Sequence, residues 1–138
     1  MKDIISPGSM LGVLGGGQLG AMFAVAARRL GYRVAVWDPD PDASALRVAD
    51  QPISAPFTDS EALARFAGLI SAVTYEWENV PVAVVTALEQ SVLVRPAGRT
   101  LGLLQNRIAQ KTFLASHNLP VAPFRTVSKT NELTAAAE

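Results

Sequence analysis

The 138 residues contain no cysteine, which excludes a disulfide scaffold, a thiolate metal site and a cysteine nucleophile. Histidine occurs once, as His117 at an expected helix end. That position suits a solvated residue favourable to the helix dipole better than a catalytic imidazole. Neither sign of charge is in excess: twelve acidic and twelve basic residues cancel, so no net field recruits nucleic acid or an anionic membrane. Arg28, Arg29 and Arg33 cluster and read as the solvated end of a helix. No run approaches the roughly 18–20 apolar residues of a membrane span. The first nine residues, MKDIISPGS, hold no apolar stretch of signal-peptide length. A cytoplasmic protein without nucleic-acid or membrane partners is therefore expected. Internal repeats and low-complexity segments are absent as well. What is present is 49% hydrophobic and 17% charged residues, the composition of a globular chain that can bury a core.

Residues 1–9 end in the breaker cluster Pro7-Gly8-Ser9 and read as a mobile leader. A short apolar run over 10–14 stops at three glycines, as a buried strand would. Leu19, Met22, Phe23, Ala26, Ala27 and Leu30 then recur at helical spacing and predict one broad apolar face, with Gly31 closing the helix. A β-rich segment over 33–37 follows and ends in the turn-prone run DPDPD at 38–42. Strand, glycine turn, helix and strand make a βαβ unit, which implies a parallel pair. The alternation continues with a short strand within 49–54 and a helix capped at Thr58 through TDSE spacing. A strand over 72–75, a helix opened by Asn79 and Pro81, and a strand over 92–94 complete it. The fold class over 10–96 is thus α/β, an open, mostly parallel sheet flanked by helices. After Pro96 the pattern predicts one helix of about four turns or more, carrying Leu101, Leu104, Ile108 and Ala115 and stopped by Asn118 and Pro120. An extended segment over 121–127 leads to a helix opened at Thr130 or Asn131 and not completed by Glu138. That ending reads as part of a longer protein.

The run GGGQLG at 15–20 satisfies G-x-G-x-x-G in the setting that gives the motif meaning, after a strand and at the head of a helix. Glycine permits the left-handed turn and lets backbone N–H groups approach an anion. Asp38, closing the second strand, stands about where a ribose-binding carboxylate sits in dinucleotide-binding folds. Pro39 and Pro41 beside it equally make it part of a solvated turn. Spacing alone therefore points to an NAD(P)-binding oxidoreductase domain. The chain holds no evident partner for hydride transfer. A lone glycine motif supplies an anion-friendly helix start without identifying the ligand.

Four segments taken in order resemble one family: LGVLGGGQLG at 11–20, GYRVAVWDPD at 31–40, VTYEWENVP at 73–81, and QNRIAQKTFL at 105–114 followed by LPVAPF at 119–124. Together they are similar to the N5-carboxyaminoimidazole ribonucleotide synthetases, ATP-grasp ligases of purine synthesis, across about residues 10–127. Each segment alone is weak. The combination of the glycine loop with YEWENVP and NRxxxK is specific. The related formate-dependent glycinamide ribonucleotide transformylases are the nearest competitor, and the Glu-Asn-Val-Pro step favours the synthetases.

The resemblance implies a preATP-grasp domain over 10–96, then a linker helix and the start of an ATP-grasp domain over 97–138. It implies a ligase that uses ATP, Mg²⁺ and bicarbonate to carboxylate aminoimidazole ribonucleotide. The lysines, lid and metal carboxylates of such a ligase have no counterpart in this chain, which is expected to be inactive alone. By the same resemblance Gly16, Gly17, Gln18 and Leu19 approach the ribonucleotide. Glu76 faces its ribose hydroxyls, with Glu78 as the alternative in the same loop. Arg107 is matched to an arginine that reaches ATP through charge-assisted hydrogen bonds. Lys111, one helical turn on, is expected to face solvent, and Trp77 to pack its loop. Such synthetases are often dimeric, so a homodimer is expected. Ala21 stands where arginine is common in them, which bears on how the substrate phosphate is held. A non-catalytic ribonucleotide-binding or interaction module is the remaining alternative.

Overall fold

The computed structural model describes residues 4–134, and the chain divides between Leu101 and Gly102 into two compact units. The first carries five strands, β1 (Met10–Leu14), β2 (Arg33–Asp38), β3 (Gln51–Ser54), β4 (Ala72–Tyr75) and β5 (Leu93–Val94). They lie in the order β3-β2-β1-β4-β5, and every neighbouring pair is parallel. The connections are α1 (Gln18–Arg29), a 3₁₀ turn (Ser44–Arg47), α2 (Ser60–Leu69) and α3 (Val82–Leu88). This is the α/β fold that the alternating pattern predicts.

Strand alternation divides the core between the two faces of the sheet. On β2, Val34 and Val36 join Val13, Ala24, Ala27 and Leu46, while Ala35 and Trp37 join Leu14, Phe66, Val85 and Leu88. Near-continuous apolar strands such as MLGVL and VAVW are what a sheet covered on both sides requires. Trp37 is fully buried, packs its ring 5.2 Å from Phe57 and 5.7 Å from Phe66, and donates its indole N–H to the Ala55 carbonyl at 2.8 Å. The aromatic body and its one polar atom are therefore both satisfied.

Three local features depart from the pattern reading. The packed side of α1 is Gly20, Ala24 and Ala27, whereas Leu19, Met22, Val25 and Leu30 are exposed. A Cβ on Gly20 would lie 2.8 Å from the Gly15 carbonyl oxygen, so only small residues allow the helix so near the strand end. Leu19, Met22 and Val25 turn outward, while Phe23 packs partly buried against the core. Helix α2 is capped by Asp59, not Thr58: its carboxylate accepts from the N–H of Glu61 at 2.9 Å and of Ala62 at 3.0 Å, a charge-assisted cap. The leader, expected to be mobile, is tied down where it is described. Tyr32 donates its hydroxyl to the Ile5 carbonyl at 2.9 Å, and Gly8 donates to Gly31 at 2.7 Å.

The single long helix expected after Pro96 is two, α4 (Gly98–Gln105) and α5 (Arg107–Ser116). Asn106 breaks it with extended angles, φ −112° and ψ 104°, and its side-chain oxygen accepts from the Ala109 N–H at 3.0 Å. A short amide that bonds its own backbone competes with helix continuation. Asn118 takes the left-handed angle, φ 56°, and Leu119 donates back to the Leu114 carbonyl at 3.0 Å, closing α5 as expected. Lys111, expected in solvent, is half-buried. It lies 5.2 Å from the centre of the Phe124 ring and donates to the Ala122 carbonyl at 3.4 Å, so it pins the extended segment to the helix. The expected final helix opens with a 3₁₀ turn (Thr130–Glu132) and is helical at Leu133 and Thr134; residues 135–138 lie outside the described residues. Among the described residues no helix is long and apolar enough to cross a membrane.

Candidate functional site

From β1 the chain winds outward to β2 and β3 on one side, then returns to place β4 and β5 on the other. The crevice beyond the carboxyl ends of β1 and β4 is therefore a topological switch point, the usual ligand position in open α/β sheets. Two sequence-predicted segments meet there. The glycine loop leaves β1, and Glu76 leaves β4, with its N–H donating to the Leu14 carbonyl at 3.1 Å.

The loop is held from both sides. Gly15 adopts φ +94°, a left-handed angle that glycine takes without strain, and donates to the Trp37 carbonyl at 3.0 Å. Gly16 donates to Asp38 Oδ2 at 2.5 Å and accepts from the Ala45 N–H at 2.8 Å. Gly17 donates to Glu76 Oε1 at 2.9 Å. Asp38 Oδ1 accepts in turn from the Asp40 N–H at 2.8 Å. Asp38 is thus a turn residue that also braces the loop: one oxygen accepts from Asp40 within the turn and the other from Gly16.

Gly15 and Gly16 are buried, whereas Gly17, Gln18 and Leu19 are exposed at the head of α1. Gly17 is the N-cap residue and no side chain caps the helix. The first backbone bond of the helix runs from the Ala21 N–H to the Gly17 carbonyl at 3.0 Å, so helix geometry gives the N–H groups of Gln18, Leu19 and Gly20 no intrahelical acceptor. Glu76 is half-buried, and Glu78 and Trp77 are exposed beyond it. Gln18 also stands at the head of a groove of about 690 Å³ along α1, lined by Ala21, Met22, Val25, Leu30 and Ser44. The groove walls are mainly apolar, with the Arg29 side chain as their one cation.

Tyr75, the last residue of β4, has a buried hydroxyl with no hydrogen-bond partner among the described residues. Burial first, and the Glu89 carboxylate second, raise its pKa above the ordinary 10.0. Arg107 belongs to the second unit, where it is the exposed first residue of α5 and donates to Gln110 Oε1 at 2.6 Å. His117, at the end of α5, has Nδ1 2.9 Å from the Phe113 carbonyl. Among the described residues no group of three His, Asp or Glu side chains could hold a metal ion.

Sequence reasoning did not single out Ala43 and Ala45. A Cβ on Gly16 would lie 2.8 Å from Ala43 Cβ, and one on Gly20 3.4 Å from Ala45 Cβ. Their signal was the pair of alanines in Ala43-Ser44-Ala45 directly after a proline-rich turn.

Residues 9–105 match the family model of the ribonucleotide synthetase preATP-grasp domain. The N5-carboxyaminoimidazole ribonucleotide synthase of Brucella melitensis is 40% identical over 135 residues, covering 98% of this chain and 37% of that protein. Its Bacillus subtilis counterpart is 39% identical over 137 residues, covering 99% of this chain and 36% of that one. The chain thus spans little more than a third of the length of these relatives. The crystal structure of an N5-carboxyaminoimidazole ribonucleotide synthetase with ADP superposes at a TM-score of 0.92 and 38% identity, over 99% of this chain and 36% of that one. The Aspergillus clavatus enzyme, solved with ADP and 5-aminoimidazole ribonucleotide, superposes at 0.84 and 29% identity, over 94% and 35%.

Proposed function

Because the chain belongs to the ribonucleotide synthetase preATP-grasp domain family, we propose that it forms the amino-terminal, substrate-side part of an ATP-dependent ligase. That ligase carboxylates 5-aminoimidazole ribonucleotide with bicarbonate in purine biosynthesis. The observation that carries the reading is the meeting of the glycine loop with Glu76 at the switch point, through the 2.9 Å bond from Gly17 to Glu76 Oε1.

The roles follow from what each group can do. Gly16 and Gly17 shape the loop. Gln18, exposed beside it, can both donate to and accept from the ribonucleotide. The backbone N–H of Leu19 points out of the first helical turn and can donate to an oxygen of the ligand. The Glu76 carboxylate accepts from ribose hydroxyls. Arg107, at the exposed start of α5, suits an ATP phosphate through its forked donors. ATP supplies the activation of bicarbonate, and Mg²⁺ neutralises the phosphates. The described residues offer no cluster for that ion, so no step here runs through it. A homodimer belongs to the same proposal.

Titrating aminoimidazole ribonucleotide into the chain by calorimetry tests the reading. Saturable binding that Gln18→Ala weakens roughly tenfold is expected, the loss of one or two polar contacts at about 1.4 kcal/mol. Absence of ribonucleotide binding together with NADH binding and fluorescence enhancement would overturn it in favour of a dinucleotide domain.

A further inference from the structure

The second glycine of a dinucleotide fingerprint normally lets the backbone approach a pyrophosphate. Here the glycines admit protein carboxylates instead. A Cβ on Gly17 would lie 2.7 Å from Glu76 Oε1, and one on Gly16 2.9 Å from Asp38 Cβ. The Gly16 N–H and Gly17 N–H, both candidate anion donors, are taken by Asp38 and Glu76. Gly16 is closed further by the Ala45 N–H on its carbonyl. A diphosphate reaching the Gly16 and Gly17 amides would have to displace two carboxylates and lie against their charge. The first turn of α1 supplies no cation to offset them, since it reads Gln18, Leu19, Gly20, Ala21.

We infer that Asp38 and Glu76 are specificity-determining residues that seal the glycine loop against diphosphates. The mouth is left to the hydroxyl-bearing part of a ligand, which donates to carboxylates. The inference rests on the proposed ribonucleotide site for its purpose, but its mechanism is a property of the loop alone. Asp38 acts through Gly16 and so positions the loop. Glu76 faces the mouth directly. The arrangement explains how a chain can satisfy G-x-G-x-x-G at the correct place in a βαβ unit and still reject the ligand for which that motif is read.

The test follows the backbone amides of Gly16 and Gly17 by NMR while inorganic pyrophosphate is added to the chain. The wild-type amides are expected to show no saturable shift at millimolar pyrophosphate. Glu76→Gln, an exchange at a half-buried position, and Asp38→Asn each remove one charge and should bring measurable binding. The double variant should bind roughly tenfold or more tightly than either single variant, as expected for like charges withdrawn from within a few ångströms of an anion. Saturable wild-type shifts at both glycines would overturn the inference. So would a Glu76→Gln protein with wild-type circular dichroism that gains no pyrophosphate affinity. Glu76→Gln alone decides the matter if Asp38→Asn fails to fold. Failure of aminoimidazole ribonucleotide to bind the wild type, with the pyrophosphate results as expected, would sink the proposed function and leave this inference standing.

Discussion

At the scale of single residues, the sharpest expectations come from atoms with nothing to bond and from glycines with nowhere to put a methyl group. The Tyr75 hydroxyl is buried and unpartnered among the described residues, so it gives up a hydrogen bond to water on folding. Tyr75→Phe is therefore expected to leave stability unchanged or raise it by about 1 kcal/mol, read from urea midpoints at neutral pH. A loss of more than about 1 kcal/mol would mean that the hydroxyl is bonded after all. The raised pKa of Tyr75, from burial first and Glu89 second, has a definite sign. The folded protein holds this proton more tightly than the unfolded chain, so the associated stability is intact below the unfolded value near pH 10 and is lost as pH rises through the folded value. That alkaline decline should shrink in Tyr75→Phe. Two glycines make an opposed pair. A Cβ on Gly20 would meet the Gly15 carbonyl oxygen at 2.8 Å, whereas one on Gly68 in α2 meets nothing within 4 Å. Gly20→Ala should cost roughly 1–3 kcal/mol through displacement of α1. Gly68→Ala should add about 0.5–1 kcal/mol through helix propensity. Equal effects in the same denaturation assay would contradict the close approach of α1 to the loop.

At the scale of elements, caps decide where helices begin. Asp59→Ala is expected to cost about 1 kcal/mol and Thr58→Ala close to nothing, because Asp59 alone accepts from both Glu61 and Ala62. The reverse order in thermal melts would restore the Thr58 cap that spacing suggests. The case shows what was legible in the sequence. Strand and helix identity was readable because each apolar run has its own period, and the order of elements over 10–96 followed from that. The packed side of α1 was readable only in part. Periodicity marked Ala27, which is buried, and Phe23, which packs against the core, but the distance of closest approach selected Gly20 and Ala24 over Leu19, Met22 and Leu30. The break at Asn106 was hidden because one capping side chain outweighs the helical preference of its neighbours. At the candidate site, Gly17 and Glu76 could be named separately from the family resemblance. Their contact spans 59 residues and that of Gly16 with Asp38 spans 22. Both depend on strand order, which spacing along the chain does not encode.

At the scale of the molecule, the two units differ in what holds them. Both core clusters, with their large fully buried side chains Trp37, Phe66, Leu14 and Leu88, lie within residues 10–101. Helix α5 in the second unit buries no residue, and Ile108, Phe113 and Leu119 remain 49%, 42% and 48% exposed. A helix of ten residues is shorter than the roughly 12–15 that an isolated helix needs to persist in water. Its support is therefore the Asn106 cap, the Asn118 stop and the Lys111–Phe124 contact. Such contacts are each worth about 1 kcal/mol, against the full unfolding free energy that guards a core strand. Hydrogen exchange of the chain should consequently show α5 amides opening at nearly unprotected rates, while those of β1, β2 and β4 exchange only through global unfolding. Limited proteolysis should cut first within 102–134 and leave a resistant product ending near Leu101. Protection of α5 equal to that of β1 would show that the second unit gains stability from contacts other than its own. The proposed roles of the two units would then have to be tested together, because Arg107 would no longer sit on an independently opening element.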